Sequence, residues 1–305
     1  MKHTQLRFVT LVVATLGMAA TALASNTRTW VSNTGVDSST CGAVTSPCKT
    51  MQQAVTVTSA GGEVDVLDPM NDFGFYVPKA LIIDGGGFLH IQVGGSQTVG
   101  INVQAGANDP VAIRNLSINV LPTNGGASPI NWYSGATLEI ENVSTSGGAY
   151  LYIAPTITAA GGSYFYAKNV TIRDTTVGGV MIGGTGTAPM EALIDGVTVV
   201  NAPSGIVLNY GQAEATHCAV MHASSYAFEA GPSGELNIAD STAEFSTTGM
   251  SAQGTGATLR IANNNIHDNT TGLLPGNGGQ IISFGTNRLA GNTTDGSPSG
   301  TVSLK

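Results

Sequence analysis

Three residues with metal-binding and acid–base side chains recur at nearly equal spacing in the second half of the chain. His222, Glu244 and His267 follow one another at intervals of roughly 22 residues, a spacing typical of repeat architectures. If the chain repeats with that period, the three side chains stack in one column, where two imidazoles and a carboxylate could hold a metal ion or transfer protons. Arg173 would lie in the same column and Asp268 one residue beyond it, and both would complete a candidate catalytic group. The alternative is an exposed polar turn without chemistry, and these residues specify no cofactor.

Aromatic residues form a second group that could do chemistry. Their apolar rings and polar tips suit the faces and hydroxyl groups of sugars. The group comprises Trp132, Tyr133, Tyr150, Tyr152, Tyr164 and Tyr166. Glu139 and Glu141 lie near them in the sequence, and a pair of carboxylates is what a glycosidase needs. The sequence therefore predicts either a substrate-binding surface for sugars or aromatic stacking that only stabilises one sheet.

A third set of residues alternates in charge: Arg114, Glu141, Lys168, Asp195 and His217. Opposite charges on adjacent strands stabilise their pairing by about 0.2–1 kcal/mol for each pair. We therefore expect a solvated ladder of ion pairs at these positions rather than a functional site.

The elements that would position these residues are the coils of an internal repeat. Segments such as LEIENVST from Leu138 and LRIANNNI from Leu259 alternate apolar and polar residues around one small or Asn-like position. Alternation indicates strands, and the small residue indicates a turn. Taking that position as an anchor places the anchors at Asn115, Asn142, Asn169, Gly196, Cys218, Asp240, Asn263 and Gly285. Successive anchors are separated by one solenoid-like period, which is longer in the first half of the chain than in the second.

A second marker keeps the same register. At a fixed distance after the later anchors, a small residue precedes an apolar one, in the pairs Gly205–Ile206, Ala227–Phe228, Gly249–Met250 and Gly272–Leu273. A leucine-rich repeat would need a Leu-x-x-Leu-x-Leu pattern, which the sequence lacks, and a propeller blade would need about twice the length. The pattern therefore predicts an all-β solenoid, a parallel β-helix of about eight or nine coils.

The composition agrees with many short strands joined by tight turns. Glycine is abundant, with 41 residues, and only 10% of the residues are charged, against about a quarter in a typical globular protein. The net charge is −8, and loss of Lys2 and Arg7 with a leader segment would leave nine basic against 19 acidic residues. Phosphate binding needs clusters of basic residues, so the sequence predicts no nucleic-acid partner.

The N-terminus has the features of a secretory signal peptide. Lys2 and Arg7 precede an apolar run over Phe8–Ala20, and Ala22-Leu23-Ala24 supplies the small residues of a cleavage site. We expect residues 1–24 to be removed. The mature chain would then be secreted, either extracellular or periplasmic, with no membrane span.

The mature chain is predicted to form one domain with two parts. Residues 25–78 would form an N-terminal cap, in which a short helix over Cys48–Thr56 lays apolar side chains across the first coil. Residues 79–305 would form the β-helix. The oligomeric state is not specified by the sequence.

The three cysteines have two different predicted roles. Cys41 and Cys48 lie in one short stretch, and in an exported chain such a pair is expected to form a disulfide. A zinc site is the alternative, although no further ligands lie at a zinc-like spacing. Cys218 lies within a strand pattern and is predicted to be a buried apolar residue, because no base that would activate a catalytic thiol is evident.

The N-terminal region also carries a family resemblance. The segment TWVSNTGVDSSTCGAVTSPCKTMQQAV from Thr29, followed by AGGEVDVLDP and ALIIDGGG, resembles secreted bacterial right-handed β-helix repeat proteins of the pectate-lyase-like superfamily. The resemblance covers nearly the whole mature chain in pattern and is most specific between Trp30 and Gly87. It implies a single-stranded right-handed parallel β-helix. It does not imply one activity, because this fold hosts lyases, hydrolases, esterases, epimerases and adhesins.

Two functional hypotheses follow from the resemblance. The first is a protein that binds or processes extracellular polysaccharide as a lyase or hydrolase does. The second is a non-catalytic adhesin or structural surface module of the same fold. The chain lacks the Asn-Thr-Asp, Gly-His and Arg-Ile-Lys signatures of polygalacturonases and the Asp-His signature of pectate lyases, which argues against pectin as the substrate. The sequence leaves open whether the protein is an enzyme.

Overall fold

A computed structural model describes residues 26–124, 126–157, 162–183 and 190–303. Strands dominate this part of the chain, with one α-helix, α1 (Met51–Val57), and one 3₁₀ turn (Pro122–Asn124). The strands are β1 (Asn26–Val31), β2 (Thr58–Val66), β3 (Met70–Asp72), β4 (Phe75–Val77), β5 (Leu81–Val93), β6 (Val99–Gln104), β7 (Pro110–Val120), β8 (Ser128–Ser134), β9 (Thr137–Ser146), β10 (Leu151–Ile157), β11 (Ser163–Lys168), β12 (Thr171–Arg173), β13 (Gly178–Ile182), β14 (Met190–Asp195), β15 (Thr198–Leu208), β16 (Gly211–Thr216), β17 (Ala219–Ala230), β18 (Gly234–Ala239), β19 (Thr242–Glu244), β20 (Thr248–Gln253), β21 (Thr258–Ala262), β22 (Asn265–His267), β23 (Thr271–Gly276), β24 (Gln280–Ser283), β25 (Arg288–Ala290) and β26 (Gly300–Thr301).

Each coil contributes one segment to each of three parallel sheets. Sheet 1 contains β1, β2, the first halves of β5, β7 and β9, and then β11, β14, β16, β18, β21, β24 and β26. Sheet 2 contains β3, the second halves of β5, β7 and β9, then β12, the first halves of β15 and β17, and β19, β22 and β25. Sheet 3 contains β4, β6, β8, β10, β13, the second halves of β15 and β17, β20 and β23. The predicted parallel β-helix is confirmed, with about nine coils.

The core is a set of inward-facing columns that run along the stack of coils. Residues in one column are adjacent in the parallel register of sheet 1, and all of them are buried. This column comprises Val111, Leu138, Phe165, Ala192, Ala213, Leu236, Leu259 and Ile281. A single coil cannot bury these side chains by itself, so stacking against neighbouring coils supplies the hydrophobic stabilisation.

The short turn between sheets 1 and 2 explains the anchor positions in the sequence. The residue there has a left-handed backbone with φ of 51–66°, which Asn, Asp and Gly adopt most readily, and the residues are Asn115, Asn142, Asn169, Gly196, His217, Asp240 and Asn263. One predicted anchor was wrong, because His217 and not Cys218 occupies this turn. The coil that follows Gly196 is one residue shorter than predicted, as the pairing of Asp195 with Thr216 shows. A one-residue slip exchanges the two faces of a strand, so the error matters for every position counted from it.

The predicted charge column is aligned only in part. Arg114, Glu141, Lys168 and Asp195 are adjacent in the register, but Thr216 follows Asp195. His217 still reaches back from the turn, with its Nδ1 2.8 Å from Asp195 Oδ1. This hydrogen bond raises the pKa of His217 and lowers the pKa of Asp195. Within the described ranges no other two neighbouring members of this column form an ion pair, so the expected continuous ladder is wrong.

Two buried ladders of polar side chains run inside the C-terminal coils. In the first, the Ser241 N–H donates to Asn264 Oδ1 and the Asn264 N–H donates to Asn287 Oδ1, both at 3.0 Å. The second repeats this arrangement further along each coil through Ser246, Asn269 and Asn292. The side-chain amides also donate to carbonyl groups of the preceding coil, at 2.9 Å for Asn264 and 3.0 Å for Asn269. These ladders satisfy backbone groups that the turns leave unpaired.

The N-terminal segment closes one end of the stack. Helix α1 begins after Thr50, whose side chain accepts a hydrogen bond from the Gln53 N–H. Its buried residues, Met51, Ala54 and Val55, face the first coil, where the helix contacts β1, β2 and β4. The predicted helix is thus confirmed, although it begins at Met51 and not at Cys48. The domain boundary at residue 78 stays a prediction.

The cysteines are placed as the sequence predicts. Cys41 and Cys48 form a disulfide, and Cys218 is a buried free thiol. Burial raises the pKa of the Cys218 thiol to about 11, which disfavours the nucleophilic thiolate. No helix in the described ranges is long and apolar enough to cross a membrane. The predicted signal peptide, residues 1–24, lies outside those ranges.

Candidate functional site

The outer side of sheet 1 carries an open groove near the middle of the stack. Strand β11 directs Tyr164 and Tyr166 outward, because Phe165 between them points into the core. The tyrosines are 36% and 41% exposed. The groove has a volume of about 290 Å³ and is lined by Tyr164, Tyr166, Glu191, Ala192, Leu193, Gln212, Ala213, Glu214 and Asn237. Two aromatic rings are therefore open to a ligand from solvent.

Three carboxylates surround these rings. Glu191 on β14 is adjacent to Tyr164, and Glu139 on β9 is adjacent to Tyr166 on the opposite side. Glu214 lies one strand beyond β14, and adjacent strands are about 4.8 Å apart. All three side chains are exposed. Within the described ranges none of them has a hydrogen-bond or ion-pair partner, so they can accept hydrogen bonds from a ligand.

The sequence predicts only part of this groove. It places Glu139 beside the aromatic residues but does not single out Glu191, Gln212, Glu214 or Asn237. The usable signal was the repeat register, because Glu191 and Gln212 occupy the position of Tyr164 in the next two coils. Outward positions of successive coils form one surface, so a column must be read across coils and not along the sequence.

The six predicted substrate-binding aromatics do not form one surface. Trp132 is fully buried and its indole N–H donates to the Ser134 carbonyl at 3.0 Å, so its prediction as a sugar-binding residue is wrong. Tyr133, Tyr150 and Tyr152 form a separate cluster at sheet 3, with Tyr133–Tyr152 ring centroids 5.7 Å apart and Tyr150–Tyr152 centroids 5.6 Å apart. Burial raises the pKa of Tyr152. These rings pack mainly against one another, whereas the tyrosines of β11 are free on their outer side.

Sheet 3 also carries a carboxylate that the sequence does not single out. Glu229 on β17 lies between Val207 and Ser251 in the register and is half-buried. Burial raises the pKa of Glu229, so its proton is held more tightly than that of an ordinary glutamate. It lies several coils from Tyr152, with Met181 and Val207 between them, so it does not belong to the aromatic cluster.

The register of sheet 2 separates His222 from the rest of the predicted catalytic column. Glu244 is adjacent to Met221 on one side and to His267 on the other. His222 lies at the following turn, with φ 59°, and stacks on Phe245 with ring centroids 5.4 Å apart. The predicted alignment of His222 with Glu244 was therefore wrong by one residue. The cause is the wrong anchor at Cys218, from which the position of His222 was counted.

Glu244, His267 and Asp268 do meet. The Nε2 atom of His267 lies 3.2 Å from Glu244 Oε2, and its Nδ1 atom lies 2.9 Å from Asp268 Oδ2. A neutral imidazole carries a single N–H, so it can donate to only one of the two carboxylates unless it gains a proton. Such a group can hold and transfer a proton. Arg173 shares the column but lies three coils, about 14 Å, from Glu244.

The turn beside His267 argues against the metal-binding alternative for this column. The Phe245 ring lies 5.4 Å from the His222 ring and 6.3 Å from the His267 ring. It separates the two imidazoles that were expected to flank a metal ion. The structure thus favours a proton-sharing group over a metal centre here.

A cluster of three carboxylates lies at the N-terminal end of sheet 1. Glu63, Asp65 and Asp84 bring one oxygen each within 4.8 Å of the others, the one such group within the described ranges. Two arginines pair with them: Arg28 Nε lies 2.5 Å from Asp65 Oδ2, and Arg114 lies 3.1 Å from Asp84 Oδ2 and 3.2 Å from Glu63 Oε1. We interpret this cluster as an ion-pair network that joins the first coils.

Phe245 is an unusual residue for its turn. Its backbone φ is 51°, a conformation that Asp174, Asn201 and Asp268 adopt in other coils. A left-handed backbone costs an ordinary residue about 1–2 kcal/mol. We therefore expect Phe245→Asn to raise the free energy of unfolding by about 1 kcal/mol in denaturant titrations.

The control for this substitution is Phe245→Ala, which removes the ring and retains the strained backbone. We expect the alanine variant to be no more stable than the wild type. If Phe245→Asn also unfolds at lower denaturant concentration than the wild type, stacking on His222 outweighs the backbone strain.

Comparison with known proteins agrees with this architecture. Residues 155–304 match the family model described as a right handed beta helix region. The comparisons with curated proteins and with solved structures give no match. The matched segment includes β11, β14 and β16, which form the groove, and the preceding coils continue the same three sheets. This match and the three observed sheets show that the chain has a right-handed parallel β-helix fold.

Proposed function

We propose that this protein is exported and binds a polysaccharide along the outer face of sheet 1. The observation that carries the proposal is the pair of exposed rings, Tyr164 and Tyr166, on one strand beside unpaired carboxylates. Sugars present apolar ring faces and polar hydroxyl groups, so aromatic rings beside hydrogen-bond acceptors match both features. The β-helix fold is often found in polysaccharide-related proteins.

The N-terminal region supports the exported location. Residues 1–24 have the pattern of a signal peptide. The Cys41–Cys48 disulfide suits an oxidising compartment, where such bonds persist. An exported protein meets the polysaccharides of cell surfaces and matrices.

The position of the acid–base group favours binding over cleavage. Glu244 and His267 lie on sheet 2, whereas the tyrosine groove lies on sheet 1. A catalytic group must be within hydrogen-bond reach of the bond that it cleaves. We therefore favour the binding or adhesive module over the lyase or hydrolase, with Glu244, His267 and Asp268 as the candidate catalytic group of the latter.

A polysaccharide panel tests this proposal. The mature protein would be tested for retention in affinity gels that contain each polymer, and for reducing-sugar and unsaturated products with calcium, zinc or a chelator. We expect retention by at least one polymer without product, and equal retention of Glu244→Ala and His267→Ala variants. Retention by none of the polymers would refute the proposal. Product that disappears in either variant would establish the enzyme instead.

A further inference from the structure

The outer face of sheet 1 carries far more negative than positive charge around the groove. Its outward positions from β9 to β21 hold six acidic residues, Glu139, Glu141, Glu191, Asp195, Glu214 and Glu235. The same stretch holds two cationic side chains, Lys168 and Arg260. Arg260 already pairs with Glu235 at 3.2 Å. The groove is therefore bordered by carboxylates whose charge nearby cations do not balance.

This charge distribution selects among sugars. A polymer of uronic acids would bring its own carboxylates next to Glu191 and Glu214, and like charges in close contact are repelled. A neutral polymer would stack on the tyrosines and donate hydrogen bonds from its hydroxyls to the carboxylates. A polymer that carries ammonium groups would gain more at each carboxylate that it meets, because attraction between opposite charges is added to the hydrogen bond.

We propose that the groove binds a polymer of amino sugars whose amino groups are free. This inference rests on the proposed function and names its substrate class. The sugar rings lie on Tyr164 and Tyr166, and their ammonium groups donate hydrogen bonds to Glu191 and Glu214. Gln212 and Asn237 supply amide groups for the hydroxyls of the same polymer.

The geometry of the groove supports this division of roles. Glu191 is adjacent to Tyr164 on the next strand. Leu193 is adjacent to Tyr166 in the same way, and Glu214 is adjacent to Leu193 one strand further on. The two carboxylates thus lie at the side of the rings toward the C-terminal coils. Diagonal neighbours on adjacent strands are about 7–8 Å apart. A polymer that crosses the coils can therefore meet a ring and a carboxylate in succession.

Three oligosaccharides of equal length distinguish the substrate classes by titration calorimetry. They are a glucosamine oligomer, its fully N-acetylated counterpart, and an oligogalacturonate. The first two share a backbone and differ in charge. We expect the glucosamine oligomer to bind about tenfold more tightly than the acetylated one, with a difference that shrinks as salt is raised. We expect the oligogalacturonate to bind most weakly.

Isosteric variants assign the effect to the groove. We expect Glu191→Gln/Glu214→Gln to weaken binding of the glucosamine oligomer about tenfold and to leave the acetylated oligomer within about twofold. Asp174→Asn removes an exposed charge at the turn between sheets 2 and 3 and should change neither affinity.

The outcomes separate this inference from the proposal that it refines. Equal or tighter binding of the acetylated oligomer or the oligogalacturonate would overturn the amino-sugar inference. If that binding is still lost on replacement of Tyr164 and Tyr166, the groove binds glycans of another class and the proposed function stands. If none of the three oligomers binds and the polysaccharide panel also gives no retention, both proposals fail.

Discussion

Replacing Asn264 with alanine should lower the free energy of unfolding by about 2–4 kcal/mol, because it leaves several buried polar groups without partners. Asn264 is fully buried. Its Oδ1 accepts from the Ser241 N–H, and its amide donates to the Ile238 carbonyl and to Asn287 Oδ1. Each group that alanine leaves buried and unpaired costs about 1–3 kcal/mol. Denaturant unfolding followed by circular dichroism measures the change.

The second ladder allows the same experiment at another position. Asn269→Ala should have a similar effect, because Asn269 makes equivalent contacts at the next corner of the same coil. Asn209→Ala is the matched control, since Asn209 is exposed and should change stability by less than about 0.5 kcal/mol. Equal stability of all three variants would show that the ladders do not hold the C-terminal coils together.

The second large effect concerns ligand binding. Tyr164→Ala/Tyr166→Ala should weaken binding of the best polysaccharide ligand by roughly 50- to 100-fold. Each ring that a sugar covers removes roughly 50 Å² of apolar surface from water, which is worth about 1.2 kcal/mol. Loss of both rings then costs about 2.5 kcal/mol, and each step of about 1.4 kcal/mol corresponds to tenfold in affinity. Affinity electrophoresis and titration calorimetry give the ratio.

Two control variants make this result specific. Phe73→Ala removes an aromatic ring that is 66% exposed elsewhere on the surface, so it tests for non-specific adhesion. Tyr150→Ala perturbs the aromatic cluster at sheet 3. We expect both to bind as the wild type does. A loss of affinity in Tyr150→Ala with none in the double variant would move the binding surface from sheet 1 to sheet 3.

The fold could be predicted from the sequence because its physical causes are local and repeated. Alternating residues give strands, and Asn, Asp or Gly at one position gives the left-handed turn, as at Asn142 and Asn169. The register failed at the coil after Gly196, which is one residue shorter than the pattern predicts. There His217 occupies the turn at positive φ, and Cys218 was the more plausible small residue. That slip displaced His222 from its predicted column.

The site was harder to predict because it depends on which side of a strand each residue faces. Trp132 and Tyr133 are neighbours in the sequence, yet Trp132 is in the core and Tyr133 is half-buried on the outer side of sheet 3. The prediction from proximity along the chain therefore placed more aromatic residues on the binding surface than the structure does. Glu191 and Glu214 lie one and two coils after Tyr164, and only the three-dimensional register brings them to the same groove. By contrast, Glu244 and His267 were predicted to meet because both lie on one column in consecutive coils.

The central claim is that sheet 1 is the face that binds polysaccharide. A crystal structure of the mature protein with its tightest-binding oligosaccharide tests it most directly. We predict sugar rings stacked over Tyr164 and Tyr166, with hydrogen bonds to Glu191 or Glu214. Sugar density on the tyrosine cluster of sheet 3, or at the turn that holds Phe245 and His267, with the groove on sheet 1 empty, would contradict the account.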